Sequence, residues 1–134
     1  MILMRDSRLI CALVYLALGS ALYADDWPEW RGRGRLGVWN ETGIVEKFPP
    51  QGLTIAWRTP IKAGYSGPAV TGGRVFVTDF TRGVNTKGVE RILCLDEKTG
   101  RILWTKQWDT DYIGLMDTYA TGPRATPTVD GDRV

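Results

Sequence analysis

The sequence predicts an all-β fold made of short antiparallel strands, and three observations carry that prediction. Beyond residue 24, no stretch of useful length repeats its apolar residues at the 3.6-residue period of a helix. Short runs rich in β-branched and aromatic residues occur instead, with glycine-containing turns between them. Two segments of the chain also repeat one another, which indicates a fold built from a recurring unit.

Residues 1–24 are predicted to be a signal peptide rather than part of the fold. A basic start is followed by the apolar run Leu9–Leu18, which is too short to span a bilayer as a helix, since that needs about 20 residues. Small residues then precede the acidic pair Asp25–Asp26. We expect cleavage after Ala24, with cleavage after Ala21 as the alternative. The sequence therefore predicts an exported protein, periplasmic or extracellular, without a transmembrane segment.

Cleavage at either position would leave one of the two cysteines in the chain. Cys11 lies in the signal segment, and Arg8–Ile10 precede it rather than the small residues of a lipid-attachment site. Cys94 lies in the apolar run Ile92–Leu95, so we expect a buried and inert thiol. The sequence thus predicts neither an internal disulfide nor a lipid anchor in the processed chain.

Five short runs are predicted to be strands. They are Leu53–Arg58, Ala69–Val70, Arg74–Thr78, Arg91–Leu95 and Arg101–Thr105. Gly72–Gly73 suits a two-residue hairpin between the second and third runs, because glycine accepts a positive φ. The turn Asp96–Gly100 joins the last two runs. There the glycine can take the left-handed conformation, while Asp96 and Thr99 can bond nearby backbone amides.

Internal repetition indicates how these strands are grouped. Pro68–Val75 and Pro127–Val134 agree at five of eight positions, 59 residues apart. Ile55–Trp57 is echoed by Ile102–Trp104, 47 residues further on. An insertion within residues 108–124 explains the different spacing. The repeated unit is then four short strands ending in a tryptophan strand, which is typical of a blade of a β-propeller.

One segment also carries a family resemblance. Cys94–Trp104 resembles the tryptophan-docking motif Leu-Asp-x-x-Thr-Gly-x-x-x-Trp of PQQ-like β-propeller repeats. Asp26–Gly32 and Gly64–Val70 are similar to segments near the start of exported bacterial proteins with such repeats. That family includes the PQQ-dependent (quinoprotein) alcohol dehydrogenases and the BamB-type outer-membrane assembly scaffolds. The resemblance covers residues 26–134 and is more specific for the fold than for an activity.

The resemblance implies four-stranded antiparallel blades, of which this chain holds only a part. Residues 25–52 would form an irregular N-terminal segment, and residues 53–134 would hold a closing strand, the first blade and the start of the second. A propeller has 4–8 blades of about 40–45 residues. We therefore expect the sequence to be the N-terminal part of a longer protein or a truncated gene product.

The same resemblance gives a reason for some of the six tryptophans. In such propellers, a blade-ending tryptophan packs between adjacent blades, where a flat apolar ring with one N–H donor is suited. Trp104 matches that position in the motif. Trp57 fits it as the outer strand of the ring-closing blade, and Asp96, Thr99 and Gly100 would shape the turn involved in docking.

Composition excludes several functional classes. Without histidine, the chain cannot build a Ser-His-Asp triad or a histidine-ligated metal site. A formal net charge of +2 gives no reason to expect nucleic acid.

Gly32–Gly37 matches G-x-G-x-x-G, but no strand precedes it and no helix pattern follows. Asp109–Ala120 resembles a calcium loop, but Ile113 and Ala120 stand at two ligand positions, so no metal site is predicted.

The expected function is that of a non-catalytic exported scaffold or binding protein without a cofactor. Its partners would be other proteins or an extracytoplasmic ligand. The alternatives are a PQQ-dependent dehydrogenase of alcohols or sugars, which would use PQQ with Ca²⁺, and a BamB-like outer-membrane assembly factor.

The quinoprotein alternative has one candidate contact and two departures. Arg124 lies three residues before a repeat proline, where the resemblance implies the start of an innermost strand facing the channel, so it could contact a cofactor carboxylate. Tyr65 stands where these enzymes often carry a cofactor-contacting glutamate, and the vicinal cysteine pair of those enzymes is missing from this sequence.

Overall fold

In the computed structural model, residues 24–114 and 121–134 are described. Four antiparallel strands form one sheet in the order β1-β2-β3-β4. They are β1 Ala69–Thr71, β2 Arg74–Arg82, β3 Lys87–Asp96 and β4 Ile102–Asp111. Within these ranges, the helical structure is one 3₁₀ turn, Arg33–Arg35. The predicted all-β class and the four-stranded antiparallel sheet are confirmed, while residues 1–23 of the predicted signal peptide lie outside the described residues.

Both predicted turns have the expected geometry. Gly72 and Gly73 have φ of 59° and 72°, and they connect Thr71 to its cross-strand partner Arg74. In the turn between β3 and β4, Asp96 Oδ1 accepts hydrogen bonds from Thr99 N at 2.8 Å and from Thr99 Oγ1 at 2.7 Å. Gly100 has a φ of 68°, so the left-handed position predicted for it is occupied.

The predicted strand Leu53–Arg58 is the main difference from expectation, because this segment forms no strand. It and the residues that follow it are attached to the sheet by individual hydrogen bonds instead. Trp57 and Thr59 contact the turn between β3 and β4, and the Lys62 amide donates to the Asp79 carboxylate at 2.7 Å. Further along, the backbone does reach the sheet, since Ala63 O accepts from Phe80 N of β2 at 2.7 Å, but Leu53–Arg58 itself forms no ladder pairing.

The sheet carries a buried apolar cluster on each face. On one face Ala69, Phe76 and Cys94 are buried, with Val129 packed against them. On the other face Val77, Leu93 and Leu95 are buried. Alternate residues of a strand point to opposite faces, so β2 and β3 contribute to both clusters. Burial also raises the pKa of the Cys94 thiol, in accord with the inert cysteine predicted for this run.

The N-terminal segment pairs with the free side of β1. Trp27 N donates to Val70 O at 2.7 Å, and Val70 N donates back to Trp27 O at 2.9 Å. Val129 N donates to Pro28 O at 2.8 Å. Val70 and Val129 are equivalent residues of the sequence repeat, so two adjacent residues of the N-terminal segment join the two copies of that repeat.

Candidate functional site

Trp57 packs its indole on the turn between β3 and β4. Its Nε1 donates to Glu97 O at 2.8 Å. A Cβ placed on Gly100 would lie 2.4 Å from Trp57 Cε3, so only glycine leaves room for the ring. Two residues further along the chain, Thr59 Oγ1 donates to Gly100 O at 2.5 Å and so contacts the same turn. The structure thus brings together Trp57, Gly100 and the Asp96–Thr99 turn that the sequence analysis singled out.

Trp104 has different surroundings, although the resemblance gives it the same role. It lies on β4 opposite Cys94, and its ring centroid is 6.0 Å from that of Phe76 at a tilt of 55°. The side chain is 39% exposed. Trp104 therefore borders the apolar cluster on its own sheet.

The two copies of the repeat lie side by side at equivalent positions. Tyr65 and Arg124 are equivalent residues, and the Arg124 guanidinium lies 5.3 Å from the centre of the Tyr65 ring. Tyr65 N donates to Pro123 O at 2.9 Å. Gly67 and Thr126 are also equivalent residues of the repeat, and a Cβ on Gly67 would lie 3.3 Å from Thr126 Oγ1. The starts of the two copies are therefore neighbours in register.

The turn-forming part of the repeat is also reproduced. In the first copy, Thr71 pairs with Arg74 across Gly72–Gly73. In the second copy, Asp130 forms an isolated antiparallel bridge with Arg133, and Gly131 has a φ of 58°. Each of these residues is 59 positions from its counterpart, so the sequence repeat is also a repeat of local structure.

Arg124, the candidate cofactor contact, lies at a cavity of about 430 Å³. The carboxylate in that cavity, Glu90, accepts hydrogen bonds from Trp108 Nε1 at 2.9 Å and from the Tyr112 hydroxyl. Burial and that bond raise the pKa of Tyr112 well above its usual value. The Glu90 carboxylate is therefore hydrogen-bonded to two aromatic side chains, one on each of its oxygens.

These residues fit PQQ and its calcium poorly. The cavity offers one guanidinium, and that group stacks on Tyr65. Over residues 24–114 and 121–134, no group of three acidic, histidine or cysteine side chains is placed to hold a metal ion. Asp109 and Asp111 of the calcium-like loop lie in β4, and Asp117 lies outside the described residues. No step of quinone chemistry is therefore assigned to these residues.

A second cavity, of about 550 Å³, lies where the N-terminal segment crosses the start of β1. Three indoles, those of Trp27, Trp30 and Trp39, line it together with the apolar residues Pro68 and Val70. Trp30 and Trp39 are 60% and 59% exposed. We call this the tryptophan cavity. Its size lies within the range of about 300–1,000 Å³ that is typical of small-molecule sites.

A compact loop holds two of those indoles in place. Trp27 packs on Gly32, where a Cβ would lie 2.7 Å from its ring. Glu29 accepts hydrogen bonds from Gly34 N at 3.0 Å and from Arg35 Nε at 2.9 Å, and the bond from Arg35 holds the pKa of its carboxyl below the usual value. The Arg31 guanidinium lies 5.5 Å from the centre of the Trp30 ring. The cavity wall is therefore braced by local contacts.

Asp79 and Arg91 form an ion pair that the sequence did not predict, with the carboxylate buried and the guanidinium partly exposed. Arg91 donates to both carboxylate oxygens of Asp79, at 2.8 and 2.6 Å, and Asp79 is fully buried. The two residues face each other across β2 and β3. The ion pair could not be predicted from the spacing of the two residues, because it depends on the register of a hairpin whose strands are longer than predicted. The tryptophan cavity could have been suspected from the unexplained tryptophans before residue 40.

Comparison with known proteins assigns no family to the chain. No family model matches it, and no solved structure matches it. A stretch of 90 residues, 67% of this chain, is 29% identical to the multifunctional procollagen lysine hydroxylase and glycosyltransferase LH3 of Rattus norvegicus. That stretch spans 12% of the rat protein, so its activities are not carried over. Across the described residues, no helix has the length and apolar character needed to cross a membrane.

Proposed function

We propose that the chain is part of an exported β-propeller with PQQ-like repeats that works as a non-catalytic scaffold or binding protein. The observation that carries this proposal is the contact between equivalent residues of the repeat, Tyr65 with Arg124 and Gly67 with Thr126. Blades of a propeller are related by rotation about a central axis. Equivalent residues of neighbouring blades therefore meet close to that axis.

The position of Trp57 gives independent support. A docking tryptophan of one blade would lie on the turn of the next blade, and Trp57 lies on the turn Asp96–Gly100 with its N–H satisfied by Glu97 O. Within this proposal, Leu53–Arg58 is the outer strand of a ring-closing blade, and its strand partners would come from blades further along a longer chain.

A binding role is favoured by the tryptophan cavity. The exposed indoles of Trp30 and Trp39 add little to the buried clusters of the sheet, and aromatic side chains are enriched at the centres of protein interfaces. Arg31, beside Trp30, would add a hydrogen-bond donor at the edge. We propose that another protein is the partner recognised there.

The test is affinity capture from a periplasmic extract with the chain as bait. The unchanged chain is compared with a Trp30→Ala/Trp39→Ala variant and with Trp108→Ala, which changes an exposed tryptophan outside the cavity. A protein retained by the unchanged chain and by Trp108→Ala, but lost with the double variant, supports the proposal. Recovery of nothing, or of the same proteins by all three, contradicts it.

The two alternatives make separate predictions. A quinoprotein dehydrogenase would show dye-linked oxidation of alcohols or sugars that depends on added PQQ and Ca²⁺, and Arg124→Ala would weaken PQQ binding. A BamB-like factor would be captured with outer-membrane assembly proteins. Absence of PQQ-dependent oxidation together with capture of an unrelated protein would leave the scaffold role alone.

A further inference from the structure

The residues that directly follow the predicted cleavage site are fastened to the fold one after another. The backbone N–H of Asp25 donates to the Glu41 carboxylate, and the Asp26 carboxylate accepts from Thr71 Oγ1 at 2.6 Å. Trp27 pairs with Val70, and Pro28 O accepts from Val129 N.

Cleavage at that position would change the chemistry of the first contact. Hydrolysis of the Ala24–Asp25 peptide bond adds water, so Ala24 leaves with a carboxylate and the Asp25 nitrogen becomes a primary amine. An α-amino group has an ordinary pKa of about 7.7–8.0, so at neutral pH it takes up a proton and becomes an ammonium. The nitrogen that acquires the charge is the atom that already faces Glu41.

We propose that Glu41 is the acceptor for the N-terminus that cleavage after Ala24 creates. The amide–carboxylate hydrogen bond becomes an ion pair between the Asp25 ammonium and Glu41, and charge-assisted bonds of this kind are stronger than neutral ones. The ion pair would hold residues 25–28 against β1 and the second repeat copy. This inference rests on the proposed export and on cleavage after Ala24.

Cleavage would also alter the tryptophan cavity, because Ala24 and Asp25 both line it. Loss of Ala24 removes part of the wall and places the new ammonium beside the indoles. The binding surface described above would therefore differ between the unprocessed and the processed chain.

The charges around the new N-terminus determine the direction of its pKa shift. The carboxylates of Glu41, Asp25 and Asp26 favour the ammonium. The guanidiniums of Arg31 and Arg33, which line the two cavities that Asp25 also lines, oppose it from the neighbouring loop. Direct contact with Glu41 makes the favourable contribution the larger one. The pKa of the α-amine is then raised. The stabilisation from the ion pair is fully present at pH values below the ordinary α-amine pKa, and it is lost as pH rises through the raised pKa.

The experiment uses the full chain, exported by a bacterial host and purified from the periplasm. Intact mass identifies the first residue. The α-amine pKa is measured from the pH dependence of its reductive methylation, followed on the N-terminal peptide by mass spectrometry. Glu41→Gln removes the acceptor charge, and Glu46→Gln is the control in the same exposed segment.

We expect a chain that starts at Asp25, with an α-amine pKa above the ordinary range in the unchanged protein and in Glu46→Gln. In Glu41→Gln it should fall by about 0.5 unit, roughly a threefold change in protonation equilibrium, as for an exposed ion pair. A chain starting at Leu22, or an uncleaved chain, overturns both the cleavage position and this inference. A chain starting at Asp25 whose α-amine pKa is unaffected by Glu41→Gln overturns the ion pair alone and leaves export standing.

Discussion

The segments around Trp57 and Trp104 hold equivalent positions in the sequence repeat but differ in structure. Trp57 belongs to a segment without strand pairing, yet its indole is satisfied by Glu97 O and packed on Gly100. Trp104 belongs to the edge strand β4, which is paired with β3, yet it is 39% exposed and its ring lies beside Phe76 of its own sheet. Backbone pairing and side-chain docking are thus divided between the two copies.

In the proposed propeller, each tryptophan segment would have both a sheet and a neighbouring turn. Trp57 has the following turn, Asp96–Gly100, and lacks a sheet of its own. Trp104 lies in a sheet, but among the described residues its ring contact is with Phe76 and not with a turn. A propeller would supply the missing half to each, because every blade presents one turn to the blade before it.

The strongest attachment of the Trp57 segment is expected to be at Asp79, which holds both Arg91 and the Lys62 amide. Asp79→Ala would leave the guanidinium without its buried partner, and we expect a loss of about 3 kcal/mol in the free energy of unfolding. The matched change on β4, Asp109→Ala at an exposed carboxylate, should cost no more than about 0.5 kcal/mol. Urea denaturation of both variants measures the difference, and equal losses would show that the ion pair has no special role.

Gly100 tests whether the Trp57 indole needs its close approach to the turn. Gly100→Ala places a methyl group 2.4 Å from the ring at a φ of 68°, and we expect a loss of about 2–3 kcal/mol from strain and displaced packing. Gly72→Ala is the control, since its φ is 59° but no atom lies within 4 Å of the added Cβ. That variant should lose only about 1 kcal/mol in thermal unfolding. A similar loss in both would mean that the indole contact contributes nothing.

Removing each tryptophan sharpens the comparison directly. Trp57→Ala deletes a half-buried ring and its hydrogen bond, for which we expect about 2 kcal/mol of destabilisation. Trp104→Ala removes a ring that is 39% exposed and should cost about 1 kcal/mol. Chemical denaturation gives both values. A larger effect at Trp104 would reverse the assignment of Trp57 as the docked residue.

Acid should loosen the Trp57 segment through Asp79. Burial by itself would raise the pKa of Asp79, but the hydrogen bonds from Arg91 and the Lys62 amide outweigh it and the pKa is lowered. A lowered pKa means that stability is present above the ordinary value near 4 and is lost as pH falls through the folded-state pKa. The Tm of the unchanged chain should therefore fall more steeply below pH 4 than that of Asp79→Asn. Parallel curves would contradict this.

Local sequence chemistry was enough to predict the centre of the fold. Gly72, Gly73 and Gly100 adopt the positive φ that favours glycine, and Asp96 bonds the Thr99 amide, so both turns could be predicted from residue types. The β-rich runs on either side of these turns then predicted the four strands. The strand ends were underestimated. Residues such as Asp79, Lys106 and Asp109 have low β-propensity, and neighbouring strands decide their conformation.

The rest depended on contacts between distant segments. Leu53–Arg58 has a strand-like composition, but a ladder needs a sheet edge, which a short sequence window cannot supply. The pairing of Trp27 with Val70 and the tryptophan cavity likewise require the N-terminal segment to reach β1 across more than 40 residues. The repeat predicted equivalent positions for Tyr65 and Arg124, but their contact is a finding of the structure, and the cofactor role of Arg124 stays a prediction.

The contact between equivalent positions of the two repeat copies is tested most directly by a disulfide. Gly67→Cys with Thr126→Cys introduces two thiols at neighbouring positions, because a Cβ at 67 would lie 3.3 Å from Oγ1 of Thr126. The control pair is Gly72→Cys with Thr126→Cys, since the Cβ of residue 72 meets no atom within 4 Å. Under mild oxidation, we predict an intramolecular bond by peptide mapping in the first pair and none in the control. Failure of the first pair to close, or equal closure of both, would contradict the side-by-side arrangement on which the propeller proposal depends.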